Sequence, residues 1–102
     1  MTETTTAPAV ETAEAPELLP VRILVLQRGW AVVGRHHRDG VEHVLTDASV
    51  IRRWGTSRGI GEIALAGPTR DTVPDKAGTV RAHELATVLI LDCDSAAWNG
   101  RL

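Results

Sequence analysis

The chain has 102 residues, 43% hydrophobic and 24% charged, with a formal net charge of −2. That is the composition of one globular domain at most. No apolar run approaches the roughly 18–20 residues of a membrane-spanning helix, and no basic segment followed by an apolar stretch marks a secretory signal. The single cysteine, Cys93, rules out a disulfide framework and a thiolate zinc cluster, and the near-neutral charge argues against a dedicated nucleic-acid binder. These features predict a soluble intracellular protein.

The charge is unevenly spread. Residues 1–20 hold Glu3, Glu11, Glu14 and Glu17 and no Lys or Arg, so they carry −4 and leave +2 on the rest. Only Val10, Leu18 and Leu19 offer sizeable apolar surface there, too little to offset ordering entropy. The expectation is a disordered acidic tail over 1–20 and a single β-rich domain over 21–102. So small a domain is a candidate for homo-oligomerisation.

In chain order, Val21 to Leu26 is a β-branched and Leu run bounded by Pro20 and Gly29, too short for a helix and apolar enough to be buried on both faces. Trp30 to Arg38 reads as a second strand ending at Asp39-Gly40, a two-residue hairpin signal in which both positions take positive φ. Val41 to Thr46 returns as a third strand and Ser49 to Trp54 as a fourth. Residues 59–66 carry Ile60, Ile63 and Leu65 ahead of Gly67-Pro68, the stop pattern of a short helix. Residues 68–78 read as a loop, Thr79 to Ala82 as a short strand and Leu85 to Leu91 as a central buried strand. Asp92 to Leu102 reads as a frayed end with Trp98 as its anchor. The predicted class is α+β and mainly β: a curled antiparallel sheet or partial barrel of five to six strands with one short helix.

With Asp39 and Gly40 in the turn, His37 faces Glu42 and His36 faces His43. Two opposed histidines are half of a metal site, but no Cys or carboxylate falls on that face to complete it. His37 and Glu42 then form an exposed cross-strand pair. His83 has no predictable partner. Cys93 lies between Asp92 and Asp94, whose charges disfavour a thiolate. Neither a nucleophile elbow nor paired carboxylates are present. The reading is non-enzymatic, with no metal and no cofactor.

Residues 51–63 are richer in chemistry. Arg52 and Arg53 end a strand, Gly55, Gly59 and Gly61 loosen the following backbone, and Thr56, Ser57 and Arg58 lie among them. Hydroxyls, guanidinium groups and free amides ahead of a helix all donate toward an anion, and Trp54 offers a face for a base. The pattern is neither a P-loop nor a dinucleotide fingerprint. Alternation along the strand sends Arg52 and Arg53 to opposite faces, so Arg53 is the one expected to share a pocket with Arg58. Arg52 and Trp54 share the other face, and Trp54 is expected to be buried. The same residues have a plainer use: Thr56 or Ser57 caps the helix, the glycines turn the chain into it, and the arginines are solvated or pair with Glu62.

The runs RGWAVVGR (28–35) and ASVIRRWGTSRGIGEIALAGPT (48–69), with the Gly-Thr-Val-Arg strand and the apolar strand ending in Asp-Cys, resemble a family of small proteins carried by tailed phages and bacterial prophages. The likeness runs from about Val21 to Trp98 and departs at residues 74–77. The family brings no assigned activity or site residue. The resemblance implies a phage accessory protein expressed in a bacterial cytoplasm. Three roles follow as expectations: a module sequestering an anionic ligand such as a nucleotide signal in counter-defence, an interaction module acting on a host protein, or a minor virion component assembling through sheet edges.

Overall fold

The computed structural model describes residues 19–102, so all but the last two residues of the disordered tail expected over 1–20 lie outside the described residues. Strand β1, Val21–Leu26, is followed by a single 3-10 turn at Gln27–Gly29. Strand β2 spans Ala31–Asp39 and β3 spans Glu42–Arg53. Helix α1 is Ile60–Ala66, strand β4 Val73–His83, strand β5 Thr87–Asp92 and helix α2 Ser95–Trp98. The five strands form one sheet in the order β4-β3-β2-β1-β5, every neighbouring pair antiparallel. The mainly β architecture with one principal short helix is as the sequence predicts.

Several elements differ from expectation for identifiable reasons. The hairpin turn is Gly40-Val41, with Asp39 opposite Glu42, because only Gly40 takes a positive φ (62°). One left-handed glycine at the first central position is the type II′ solution, and it needs no second. The register moves so that Arg38 faces His43 and His37 faces Val44. His37 therefore does not pair with Glu42. Instead Arg81 bridges the opposed carboxylates of Asp39 and Glu42 at 3.1 and 3.0 Å. The anticipated third and fourth strands are one continuous strand, β3, bent where Asp47 adopts φ 49° and the β2 pairing skips. Aspartate tolerates this left-handed conformation better than most residues. The bend increases the curl of the sheet, as bulges do.

Residues 73–78, read as loop, belong to β4, where Pro74 is tolerated because β4 is an edge strand. Leu85 lies in a 3-10 turn and is exposed, and the run Thr87 to Leu91, expected at the centre of the sheet, is its other edge. A continuous apolar run marks a strand suited to burial on both faces, but it does not say which strand takes the central seat. β2 takes it, with Ala31, Val32 and Val33 buried, and β1 lies between β2 and β5, paired on both sides, with Val21, Ile23 and Leu24 buried.

The two faces of the sheet carry separate cores. On one, Val21, Ile23, Ala31, Val33 and Ile51 pack with Ile63 and Ala64 of α1 and Trp98 of α2. On the other, Leu24, Val32, Leu45 and Ala48 are buried as the sheet curls upon itself. The C-terminal segment is not frayed. Asp94 caps α2 by accepting from the amides of Ala96 and Ala97, and Ser95 Oγ accepts from the Val21 amide. Trp98 is fully buried, and its indole N–H donates to the Ile63 carbonyl at 2.9 Å.

Candidate functional site

The segment between β3 and α1 borders an open pocket of about 870 Å³, lined by Arg53, Trp54, Gly55, Thr56, Ser57, Gly59, Glu62, Thr69 and Asp71. Its floor is held from below. Thr72 Oγ1 donates to the Trp54 carbonyl at 2.6 Å and Thr69 Oγ1 to the Gly55 carbonyl at 2.7 Å. Gly55 has φ 66°, and a Cβ there would overlap the Asp71 carbonyl, so the two loops meet only because this residue lacks a side chain.

Five of the residues singled out in the sequence line this pocket: Arg53, Trp54, Thr56, Ser57 and Gly59. Three do not. Arg52 leaves the opposite face, as alternation requires, and is held by Asp75 at 2.8 Å. It borders a second depression with Arg28, Gly29 and the exposed Trp30. Arg58 and Gly61 border a third depression with Glu62, Leu65 and Ala66. The expected shared pocket of Arg53 and Arg58 is therefore not formed. Trp54 is 42% exposed, contrary to the expectation that it packs in a core; the chain leaves the sheet after Arg53, so alternation no longer governs its side chain.

Three of the donors ahead of α1 are already engaged. Glu62 turns back so that its carboxylate accepts from the amide of Arg58 at 3.0 Å and from the amide and hydroxyl of Ser57 at 3.3 and 3.5 Å. The carboxylate thus braces the loop before the helix, and neither Thr56 nor Ser57 caps it: the N-cap residue is Gly59, with no side-chain cap bond. Glu62 and Asp71 together bring two carboxylates to a pocket that the sequence suggested for an anion. Like charge at the rim weakens anion capture.

A second polar constellation crosses the sheet. Asp92 of β5 accepts from Arg22 Nε of β1 at 2.7 Å, the Arg22 guanidinium contacts His36 Nδ1 of β2 at 2.9 Å, and His36 Nε2 contacts His43 Nδ1 of β3 at 2.9 Å. A guanidinium only donates. His36 Nδ1 must therefore accept, which places the His36 proton on Nε2 and makes it the donor to His43 Nδ1. His43 in turn carries its proton on Nε2. Both rings are buried, His36 7% and His43 6% exposed. Burial, then the Arg22 charge, holds the His36 pKa down at about 4, and burial followed by the Arg38 charge lowers that of His43. The two histidines were paired in the sequence, but as direct opposites. They are diagonal neighbours instead, since His36 faces Leu45. Arg22 and Asp92 carried no signal of their own, because they join the histidines only through the pairing of β1 with β2 and β5.

Among the described residues no group of three or more His, Cys, Asp or Glu is placed to hold a metal ion. Burial, and after it the Asp92 charge, pushes the Cys93 thiol up to about 12, so it stays protonated near neutrality. His83 does find a partner: its Nδ1 accepts from the Leu85 amide at 3.0 Å. No helix among the described residues is long and apolar enough to cross a membrane.

The last distinctive surface is the β5 edge. Val88, Leu89 and Ile90 are 63%, 45% and 39% exposed on a strand with no neighbour on its outer side among the described residues. No protein-family model and no curated protein matches the chain. Among solved structures, a heptameric archaeal Sm protein is similar at 13% identity and a TM-score of 0.46, over 81% of this chain and 96% of the other.

Proposed function

We propose that this protein is a non-enzymatic interaction module of the phage- or prophage-accessory kind, acting in a bacterial cytoplasm through the open edge of β5. The observation that carries the reading is the contradiction between what β5 is made of and where it sits. Thr87 to Leu91 contains no charge and no proline, yet among the described residues its outer backbone is unpaired and three of its side chains are exposed. Free edges are normally blunted by charge, proline or bulges. An uncharged apolar edge is suited to strand addition, in which a partner's backbone extends the sheet. The phage context rests on the resemblance of the RGWAVVGR and ASVIRRWGTSRGIGEIALAGPT runs.

Affinity capture from bacterial lysate, with the bound proteins identified by mass, tests this reading. Leu89→Lys in β5 is expected to lose a specific partner that Arg53→Ala retains. Equal retention by both variants overturns the use of this edge.

A second reading, a pocket for an anionic ligand such as a nucleotide signal, is supported by Arg53, Trp54, Thr56 and Ser57 around the same 870 Å³ space. It ranks behind the first because Glu62 occupies the amides of Ser57 and Arg58, and Arg52 and Arg58 line other depressions. A ligand that binds only the folded state raises the melting temperature by mass action. Nucleotides and cyclic dinucleotides at millimolar concentration are expected to leave it unchanged. A rise that Arg53→Ala removes would put the pocket first.

A further inference from the structure

We infer that the occupant of the β5 edge is β5 of a second copy of this chain, added antiparallel about a two-fold axis to join two five-stranded sheets into one of ten. This rests on the interaction reading above and names its partner.

Among the described residues the sheet has two free edges, and they are built differently. β4 carries Pro74, which has no N–H to offer, then Asp75 and Lys76, and its pairing with β3 breaks register three times. These are the devices that keep an edge from accepting another strand. Over Thr87 to Leu91, β5 has no charged residue and no proline. Its side chains are apolar on both faces. Ile90 lies on the side of Leu24, and Leu89 on the side of Val25, each directly opposite its β1 partner. Apolarity on both faces belongs to a strand with neighbours on both sides, so β5 has the composition of an interior strand of a larger sheet.

A second β5 meets that requirement better than β4 does. Antiparallel pairing of the strand with itself opposes only uncharged side chains through its centre. The one charged residue, Asp92, lies at the end, where Arg22 already neutralises it at 2.7 Å. Pairing with β4 of another copy would instead bring the Pro74–Lys76 segment or Arg81 against the apolar strand. A two-fold contact is also closed, which leaves no further open β5 edge to propagate assembly.

Sedimentation equilibrium of the full-length chain is expected to give twice the 11.0 kDa chain mass, and Leu89→Lys to return it to the monomer. Antiparallel self-pairing that keeps each face in register places either residue 89 or residue 90 opposite its own copy. Opposed Cα atoms about 4.5–5.5 Å apart lie within disulfide reach. In a Cys93→Ser background, Leu89→Cys or Ile90→Cys is therefore expected to cross-link into covalent dimers under mild oxidation, while Thr79→Cys on β4 does not. A monomeric parent overturns the two-fold, even if Leu89→Lys still loses a captured partner, in which case the edge serves a different protein. A mass of three or more chains, or cross-linking at Thr79→Cys, points to β4 and also overturns it. A dimer unaffected by Leu89→Lys removes the edge from both readings.

Discussion

Replacing Trp98 with alanine is expected to destabilise the protein by about 3–5 kcal/mol, the usual range for deleting a buried aromatic side chain. The indole is fully enclosed among Val21, Ile23, Ile63 and Ala64, and its N–H satisfies the Ile63 carbonyl at the last turn of α1. Its loss therefore opens a cavity and removes one of the two hydrogen bonds the Ile63 carbonyl accepts, the Gly67 amide supplying the other at 2.9 Å. Domains of this size hold only about 5–15 kcal/mol in total, so Trp98→Ala uses a large part of the available stability. Urea denaturation followed by circular dichroism measures it. Trp30→Ala is the control: Trp30 is 57% exposed and belongs to neither core, so its replacement is expected to cost within about 0.5 kcal/mol. Equal effects at the two positions would mean that the C-terminal helix does not close the sheet.

Acid is expected to unfold the protein through His36. The ring is neutral in the folded state because Arg22 donates to Nδ1 and His43 accepts from Nε2, so a second proton has no acceptor to meet and faces a guanidinium. The folded pKa is about 4 against 6.5 for a free histidine. Between those values the unfolded chain binds the proton and the folded one does not, so stability rises with pH across this window. The contribution is fully present above about pH 6.5 and is lost as the pH falls toward 4. At about 1.4 kcal/mol per pKa unit it amounts to roughly 3 kcal/mol. His43, lowered in the same direction, adds to the effect. Melting temperatures at pH 7.5 and 4.5 test it against His36→Gln, which retains an acceptor and a donor but cannot titrate. Carboxylates protonate in both proteins, so the difference between their pH responses isolates the histidine. Parallel responses would show that the buried chain is not the acid-sensitive element.

These two sites differ in how much of them the sequence disclosed. Trp98 was legible as an anchor because an isolated tryptophan near the end of a small chain has few other uses, but its burial depends on Asp94 capping a turn that a composition-based reading takes for fraying. The histidines were legible as neighbours because their sequence separation across a tight turn already places them on one face. Moving the turn from Asp39-Gly40 to Gly40-Val41 kept that face and changed only which residues are directly opposed.

By itself the sequence determined the strand-rich class, the bounds of β1, the short helix before Gly67-Pro68 and the cluster of donors from Arg53 to Gly59. Each is a local matter of alternation, chain breakers or turn chemistry, decided within a few residues. Only the tertiary structure decided the rest, because those outcomes depend on contacts far apart in the chain. The same apolar pattern serves a central strand or an edge, and the pairing of β5 with β1 across some 65 residues is what leaves Val88, Leu89 and Ile90 uncovered. Arginines close in sequence separate in space because strand alternation removes Arg52 and the turn into α1 removes Arg58. Glu62, four residues beyond Arg58, turns back onto the free amides and fills from within the place that a local reading leaves for a ligand.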